Sequence, residues 1–207
     1  SSRGLENGTN WAVAGAGALI FTGSVVLFAV FMLIPWDFGS YFVCMLLPIG
    51  YMMMCGGFCA ECGERHRAAA YAGMGFAAVY TVLVLLVYFA QTTAVRLDSL
   101  DEQAMRMLDY GKGGLFFYYD LLGYGMMALS TFFIGLTVGV RDGADRWLKR
   151  LMLGHGVFFF SCLLMPMTGM LSGEGNGVGG TIALEVWCAY FTPIGVLSFV
   201  HFRKSRV

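Results

Sequence analysis

Asp120, Glu185 and His155 stand inside long apolar runs, where an ionisable side chain needs a physical reason to be. Near the centre of a helix in hydrocarbon such a group costs roughly 2.5 kcal/mol or more on insertion scales. Set about six residues in from the same end of their runs, the two carboxylates lie ~9 Å below one boundary at the helical rise. Glu185 continues a polar stripe with Thr181, Cys188 and Thr192, at spacings of four, three and four. Asp120 shares a face with Tyr124 and follows Tyr118 and Tyr119, while Gln91 closes another run just before Thr92 and Thr93. Gln91, Asp120, Tyr119, Tyr124, Glu185 and Thr181 therefore outline a polar pocket among the third, fourth and sixth apolar segments. Aromatic walls with a few convergent polar groups suit a small ligand or an ion. Two other readings stay open. Asp120 or Glu185 could pair with Arg96 or a tyrosine hydroxyl and fix helix register, or the two could act as a catalytic pair. No residue is assigned a catalytic role.

Soft metal ligands form a second pattern. Cys55, Cys59, Cys62 and His66 recur at four, three and four, one helical face, with Met52, Met53 and Met54 beside them. Thiolate and imidazole suit zinc or copper(I), which makes Cys59, Cys62 and His66 the metal candidates. Yet four such positions spread over ~16 Å of straight helix, too far to grasp one ion. The Cys59/Cys62 pair also matches C-x-x-C. It closes a span, where the helix dipole opposes a thiolate, whereas redox motifs of this kind open a helix. Membrane thiols mostly pack as small apolar side chains. His155 lies near the opposite boundary from the carboxylates and reads as a histidine bonded to a carbonyl or serine. His66 and His201 fall at the rim, so a two-histidine haem lacks its second ligand. No cofactor is called for, and a metal ion stays open.

The elements that must carry these residues are long. Hydrophobic residues make up 58% of the 207-residue chain and charged ones 13%, too few charges for the surface of a soluble domain. A zero formal net charge removes the basic field that nucleic acid requires. A stretch of about 20 apolar residues crosses a bilayer as a helix. Six qualify, near 11–36, 41–60, 69–95, 115–140, 148–171 and 180–202. Barrel-type alternation is missing. The expected fold is all-α, a polytopic six-helix bundle forming one integral membrane domain over 1–207. The polar opening residues, followed by a run long enough to span, do not read as a cleavable signal peptide.

Basic residues set the orientation. Arg3, Arg65, Arg67, Arg141, Arg146, Lys149, Arg150, Arg203, Lys204 and Arg206 fall on one side, ten of thirteen. Arg96, Arg106 and Lys112 share the one long loop opposite. Both termini are thus expected in the cytoplasm of a cell-membrane protein. In that long loop, residues 96–113, Ser99 and Glu102 match a capping box before an amphipathic pattern of Leu97, Leu100, Ala104 and Met107. The glycine-rich 172–180 connection is expected to be mobile. Pro48, Pro166 and Pro193 predict kinks in the second, fifth and sixth spans. Ala69, Gly73 and Ala77 form a small-residue stripe for close packing of the third.

The run Tyr88-Phe89-Ala90-Gln91-Thr92-Thr93-Ala94-Val95-Arg96 resembles a segment that closes a span in a group of uncharacterised prokaryotic multi-span membrane proteins with a Y-F-x-Q-x-T pattern. Asp120-Leu121-Leu122-Gly123-Tyr124 is similar to the opening of their following helix. The resemblance covers roughly the third to sixth spans; the Met- and Cys-rich second span departs from it. It implies a helical membrane fold and lends weight to Gln91 and Asp120, and it implies no activity.

Walker, Rossmann, H-E-x-x-H and G-x-S-x-G motifs are absent. The leading expectation is a non-enzymatic membrane protein that binds a small or amphipathic ligand or ion in its outer half, as a transporter, substrate-binding subunit or sensor. Alternatives are a membrane enzyme using Asp120, Glu185 or His155, and a structural or assembly subunit. Expected partners are the lipid bilayer and a small-molecule or lipid-like ligand, with no nucleic acid; a homo-oligomer or a partner membrane subunit fits as well.

Overall fold

Apolar length dictates the architecture. The computed structural model describes residues 2–169 and 177–205, with side chains from Gly8 onward. Among them the chain forms eight α-helices: α1 (Ser2–Leu33), α2 (Asp37–Glu61), α3 (Arg67–Ala90), α4 (Glu102–Leu108), α5 (Leu115–Thr137), α6 (Gly143–His155), α7 (Phe158–Met167) and α8 (Val178–Lys204). Six segments are long and apolar enough to cross a membrane: 8–33, 37–61, 64–95, 115–137, 143–167 and 178–204. The all-α, six-helix expectation is met. We call the end that carries residues 96–114 the outer end and the opposite one the inner end.

The helices form a ring. Helix α2 packs on α1, α3 and α5; α8 closes the circle by touching α1 and α6. The tightest crossing joins α1 to α2, where a Cβ on Gly17 would fall 2.5 Å from Met53 Cβ and one on Gly50 2.5 Å from the Phe21 nitrogen. The small-residue stripe of α3 meets α5: a Cβ on Gly73 would reach Ile134 at 2.7 Å, and Ala77 is fully buried.

Four expectations are corrected. The fifth span is not one helix. It breaks after His155, where Gly156 and Val157 donate to Leu153 and Gly154 at 3.2 Å, a tightening to i−3 bonds. Gly156 stands at the break and lets α5 pack close, since a Cβ there would press on Phe132 Cβ at 2.9 Å. Pro166 lies beyond, inside α7, and Pro48 and Pro193 leave α2 and α8 unbroken. Second, α4 is capped by Asp101, whose carboxylate accepts from the Ala104 N–H at 2.8 Å. Ser99 instead donates to the Ala94 carbonyl, since Asp101 sits at the right offset and Ser99 does not. Third, α2 ends at Glu61 and His66 lies in a short 3₁₀ turn, so the Cys–His stripe is not one helical face. Fourth, the helical segments bury Asp145 and His201 beside Asp120 and His155, whereas Glu185 is only partly buried. Of the glycine-rich connection, 172–176 lie outside the described residues, and Gly179 and Gly180 already belong to α8.

The break shapes the outer half. Helix α6 lies against α5 and α8, whereas α7 packs on α5 and none of its residues is buried. The start of α8 therefore leans on α1 and on single aromatic contacts, such as Tyr124 to Trp187 with ring centroids 5.2 Å apart.

Candidate functional site

A pocket of about 250 Å³ lies at the outer end, between the α1–α2 turn and the first residues of α8. Phe28 and Met32 of α1 form one wall, Thr181 and Leu184 of α8 another, and Tyr41, Tyr88 and Tyr110 complete it. These three tyrosines belong to α2, α3 and the 96–114 connection. They pack as a triangle, with ring centroids 5.7 Å apart for Tyr41–Tyr88 and 6.1 Å for the other two pairs. Among the described residues, Asp37 is the only charged side chain in the lining. It opens α2, where the helix N-terminus favours an anion, and it is exposed.

Asp120 lies behind this triangle, 2% exposed on α5. The Tyr88 hydroxyl donates to its Oδ2 at 3.1 Å, and Oδ1 has no hydrogen-bond partner. Burial first, and then the Asp120 carboxyl beside it, push the Tyr110 phenol well above its ordinary value. Further along the core the Tyr124 and Tyr80 hydroxyls are also buried without partners. Tyr80 sits 5.7 Å, ring to ring, from both Tyr124 and Tyr51. There the column is satisfied: Tyr51 donates to Ser130 at 2.9 Å, lies 2.9 Å from Thr131, and Ser130 donates to the Gly73 carbonyl at 2.7 Å. Buried polar atoms are nearly always bonded in native proteins; half of the six unpartnered ones among the described residues fall in this neighbourhood, the others being on His155, Glu185 and Ser198.

The six ligand-binding candidates divide. Thr181 lines the pocket. Asp120 and Tyr124 stand behind it. Glu185, one turn along from Thr181, has a buried and unpartnered Oε1, but no hydrogen bond or ion pair joins it to Asp120 among the described residues. Gln91 opens a five-residue π turn, 91–95, and holds the outer connection: its Nε2 donates to the Leu108 carbonyl at 2.8 Å and its Oε1 accepts from the Tyr110 N–H at 3.0 Å. That amide positions Tyr110 rather than facing the pocket. Tyr119 is 40% exposed and borders an apolar groove between α5 and α7 with Cys162 and Pro166. The pocket expected among the third, fourth and sixth spans thus takes its walls chiefly from the first, second and sixth. Arg96 pairs with neither carboxylate; its Nε donates to the Thr92 carbonyl and its guanidinium lies 5.2 Å from the Phe38 ring centre. Tyr41, Tyr88, Tyr110 and Asp37 escaped the sequence reading. Their signal was the aromatic and acidic enrichment at span ends, which an ordinary interface belt also produces.

His155 bonds neither a carbonyl nor a serine. Its Nε2 accepts from the Trp187 indole at 3.3 Å, because the break at Gly156 turns the ring toward α8. His201 stands at the inner end of α8, as its place in the sequence implies, yet it is 2% exposed. Its Nδ1 lies 2.7 Å from Asp145 and its Nε2 meets Glu61. Asp145 also accepts from the Arg141 Nε at 3.1 Å, and Arg141 donates to the His201 carbonyl at 2.8 Å. This inner network ties the ends of α2 and α8 to the start of α6. Beside it a cleft of about 230 Å³ is lined by Cys62, His66 and Arg141. Cys59 points elsewhere, its thiol donating to the Ala70 carbonyl at 3.6 Å. No group of three His, Cys, Asp or Glu side chains among the described residues is placed to hold a metal ion.

No family model, curated protein or solved structure matches the chain. Of the resemblance in the third to sixth spans, what the structure shares is its coarse form, a bundle with six apolar helices long enough to span a membrane.

Proposed function

We propose that this membrane-type protein binds a small organic cation, such as an amine, in the outer pocket. The observation that carries this reading is the triangle of Tyr41, Tyr88 and Tyr110 in a pocket where, among the described residues, Asp37 is the one charged lining residue. Tyrosine faces attract a cation through their ring quadrupoles, by about 0.5–2 kcal/mol depending on desolvation. A carboxylate at the rim supplies the countercharge, and no Lys, Arg or His among the described lining residues opposes it. The pocket size fits a ligand of a few heavy atoms. Transporter, substrate-binding subunit and sensor all use such a site.

Calorimetry of purified protein with butylammonium, tetramethylammonium and neutral butanol tests the reading. Saturable binding of the cations, weakened at least several-fold by Asp37→Asn and by Tyr41→Ala, is expected. Equal binding of butanol, or none of any probe, removes it. A helix-locking role has its own support in Gln91, whose amide is engaged by loop backbone at both ends. It predicts that no probe binds. We also infer from the basic residues that the inner end faces the cytoplasm. Single-cysteine labelling should then reach position 112 from outside and position 146 from inside.

A further inference from the structure

Two pocket residues do double duty. Tyr88 lines the pocket and donates to Asp120, and Tyr110 lines the pocket and lies beside the same carboxyl. Asp120 itself does not line the pocket, so what it exchanges with a ligand must pass through these phenols. We propose that Asp120 is a proton-exchange site linked to the outer pocket: a cation settling on the tyrosine triangle releases the Asp120 proton, and its departure takes one back. This rests on the cation-binding reading above.

The balance of charge carries the argument. Every neighbour that Asp120 influences is neutral as a side chain or acidic. Helix α2 contributes Tyr41 and Cys44, and α3 contributes Tyr80 and Tyr88. The outer connection offers Tyr110, α5 itself Tyr124, and α7 Cys162. From α8, Cys188 neighbours Cys44 and has Glu185 beside it. No Lys, Arg or His ion-pairs with Asp120 among the described residues. Ionised and alone, it would be a buried anion with one hydrogen bond, a costly state at this depth. As the acid it is neutral, with the proton on the unpartnered Oδ1 and Oδ2 still accepting from Tyr88. When an ammonium arrives it keeps its own protons. The Asp120 O–H bond breaks, the proton leaves to water, and the carboxylate accepts from Tyr88, with that phenol and Tyr110 between it and the new positive charge. One positive charge enters and one leaves. No electron moves.

The two arms of the test fail separately. Infrared difference spectra of the ligand-free protein in lipid vesicles report whether Asp120 holds a proton. At neutral pH a carbonyl band of a buried carboxylic acid should be present and should vanish in Asp120→Asn. Its absence overturns the proposal whatever the pocket binds. Asparagine keeps an oxygen for the Tyr88 hydroxyl, so this variant is expected to fold; Tyr88→Phe is the second variant and should uncouple rather than abolish the band. Butylammonium should erase the band in the wild type. Calorimetry in two buffers of different ionisation heat should show about one proton released per cation, and none in Asp120→Asn. Wild-type affinity should rise about tenfold per pH unit while the free acid is protonated, then level off. Binding without proton release overturns the linkage and leaves the pocket standing. No butylammonium binding at all overturns the pocket reading and the linkage with it.

Discussion

The two ends of this bundle bury polar groups in opposite ways. At the inner end Asp145, 1% exposed, is met by His201 and by both the backbone and side chain of Arg141, and His201 is met in turn by Glu61. At the outer end Asp120, equally buried, has one hydrogen bond and a free oxygen, with the unpartnered Tyr80 and Tyr124 hydroxyls nearby. The inner network joins helix ends and engages Asp145 fully, while its Glu61, Arg141 and His201 also border the cleft of about 230 Å³. The outer carboxylate keeps one oxygen unengaged. Both carboxylates are buried, so the difference lies in their partners, and the role proposed for Asp120 rests on that difference.

The sharpest way to break this contrast is to remove one carboxylate from each end. Asp145→Ala leaves Arg141 and His201 without their shared anion beside a cleft open to solvent, and loss of these charge-assisted hydrogen bonds should cost about 1.5–3 kcal/mol. Asp120→Asn keeps the Tyr88 bond and should cost less than about 1 kcal/mol. Unfolding of both variants in detergent, followed by near-ultraviolet circular dichroism, measures the gap. Equal losses would mean that Asp120 is as structural as Asp145.

The same contrast can be sharpened with one substitution made three times. Tyr51→Phe strips a hydroxyl that Ser130 and Thr131 both approach at 2.9 Å and should cost about 1–3 kcal/mol through the groups left behind. Tyr80→Phe and Tyr124→Phe strip hydroxyls with no partner and should fall within about 0.5 kcal/mol of wild type or stabilise. A large loss at Tyr80 would reveal that its hydroxyl is satisfied after all.

Which parts of this were legible in the sequence follows from the range of the forces involved. Hydropathy is local along the chain, so the six spanning segments could be read directly. Asp120 was legible because a lone acid interrupts an apolar run. Its partners were not: Tyr88 and Tyr110 come from other elements, and nothing local separates them from belt aromatics. Asp145 and His201 were hidden because each sits near charges that read as a cytoplasmic rim; only folding shows that the rim closes over them. The break after His155 was missed because proline carries the stronger local signal. Gly156 stands at the break, and the neighbour that a Cβ there would meet, Phe132, is a residue one helix away. Asp101 displaced Ser99 as cap through an offset of two residues, a distance that pattern matching does not resolve.

The smallest expected effect lies at the margin of the inner network and tests where that network ends. Asp142 caps α6 by accepting from the Asp145 N–H at 3.0 Å, and it pairs with Lys204 of α8. The Lys204 hydrogen bond first, and that backbone N–H second, hold the Asp142 carboxyl below the ordinary carboxylate range. A carboxyl lowered by folding contributes stability above its unfolded value, near ~3.9, and loses it as pH falls through the lower folded value. The stability gap between wild type and Lys204→Met should therefore be constant around neutrality and narrow below about pH 4. Because the pair is exposed, added salt should shrink the gap as well. Asp142→Asn removes the charge and keeps a cap, so it should resemble Lys204→Met, while Asp142→Ala should be worse than either. A carbon-detected titration of Asp142 in Lys204→Met should move toward the ordinary value. If it does not move, the backbone N–H of the cap alone sets the ionisation, and the inner network stops at Asp145.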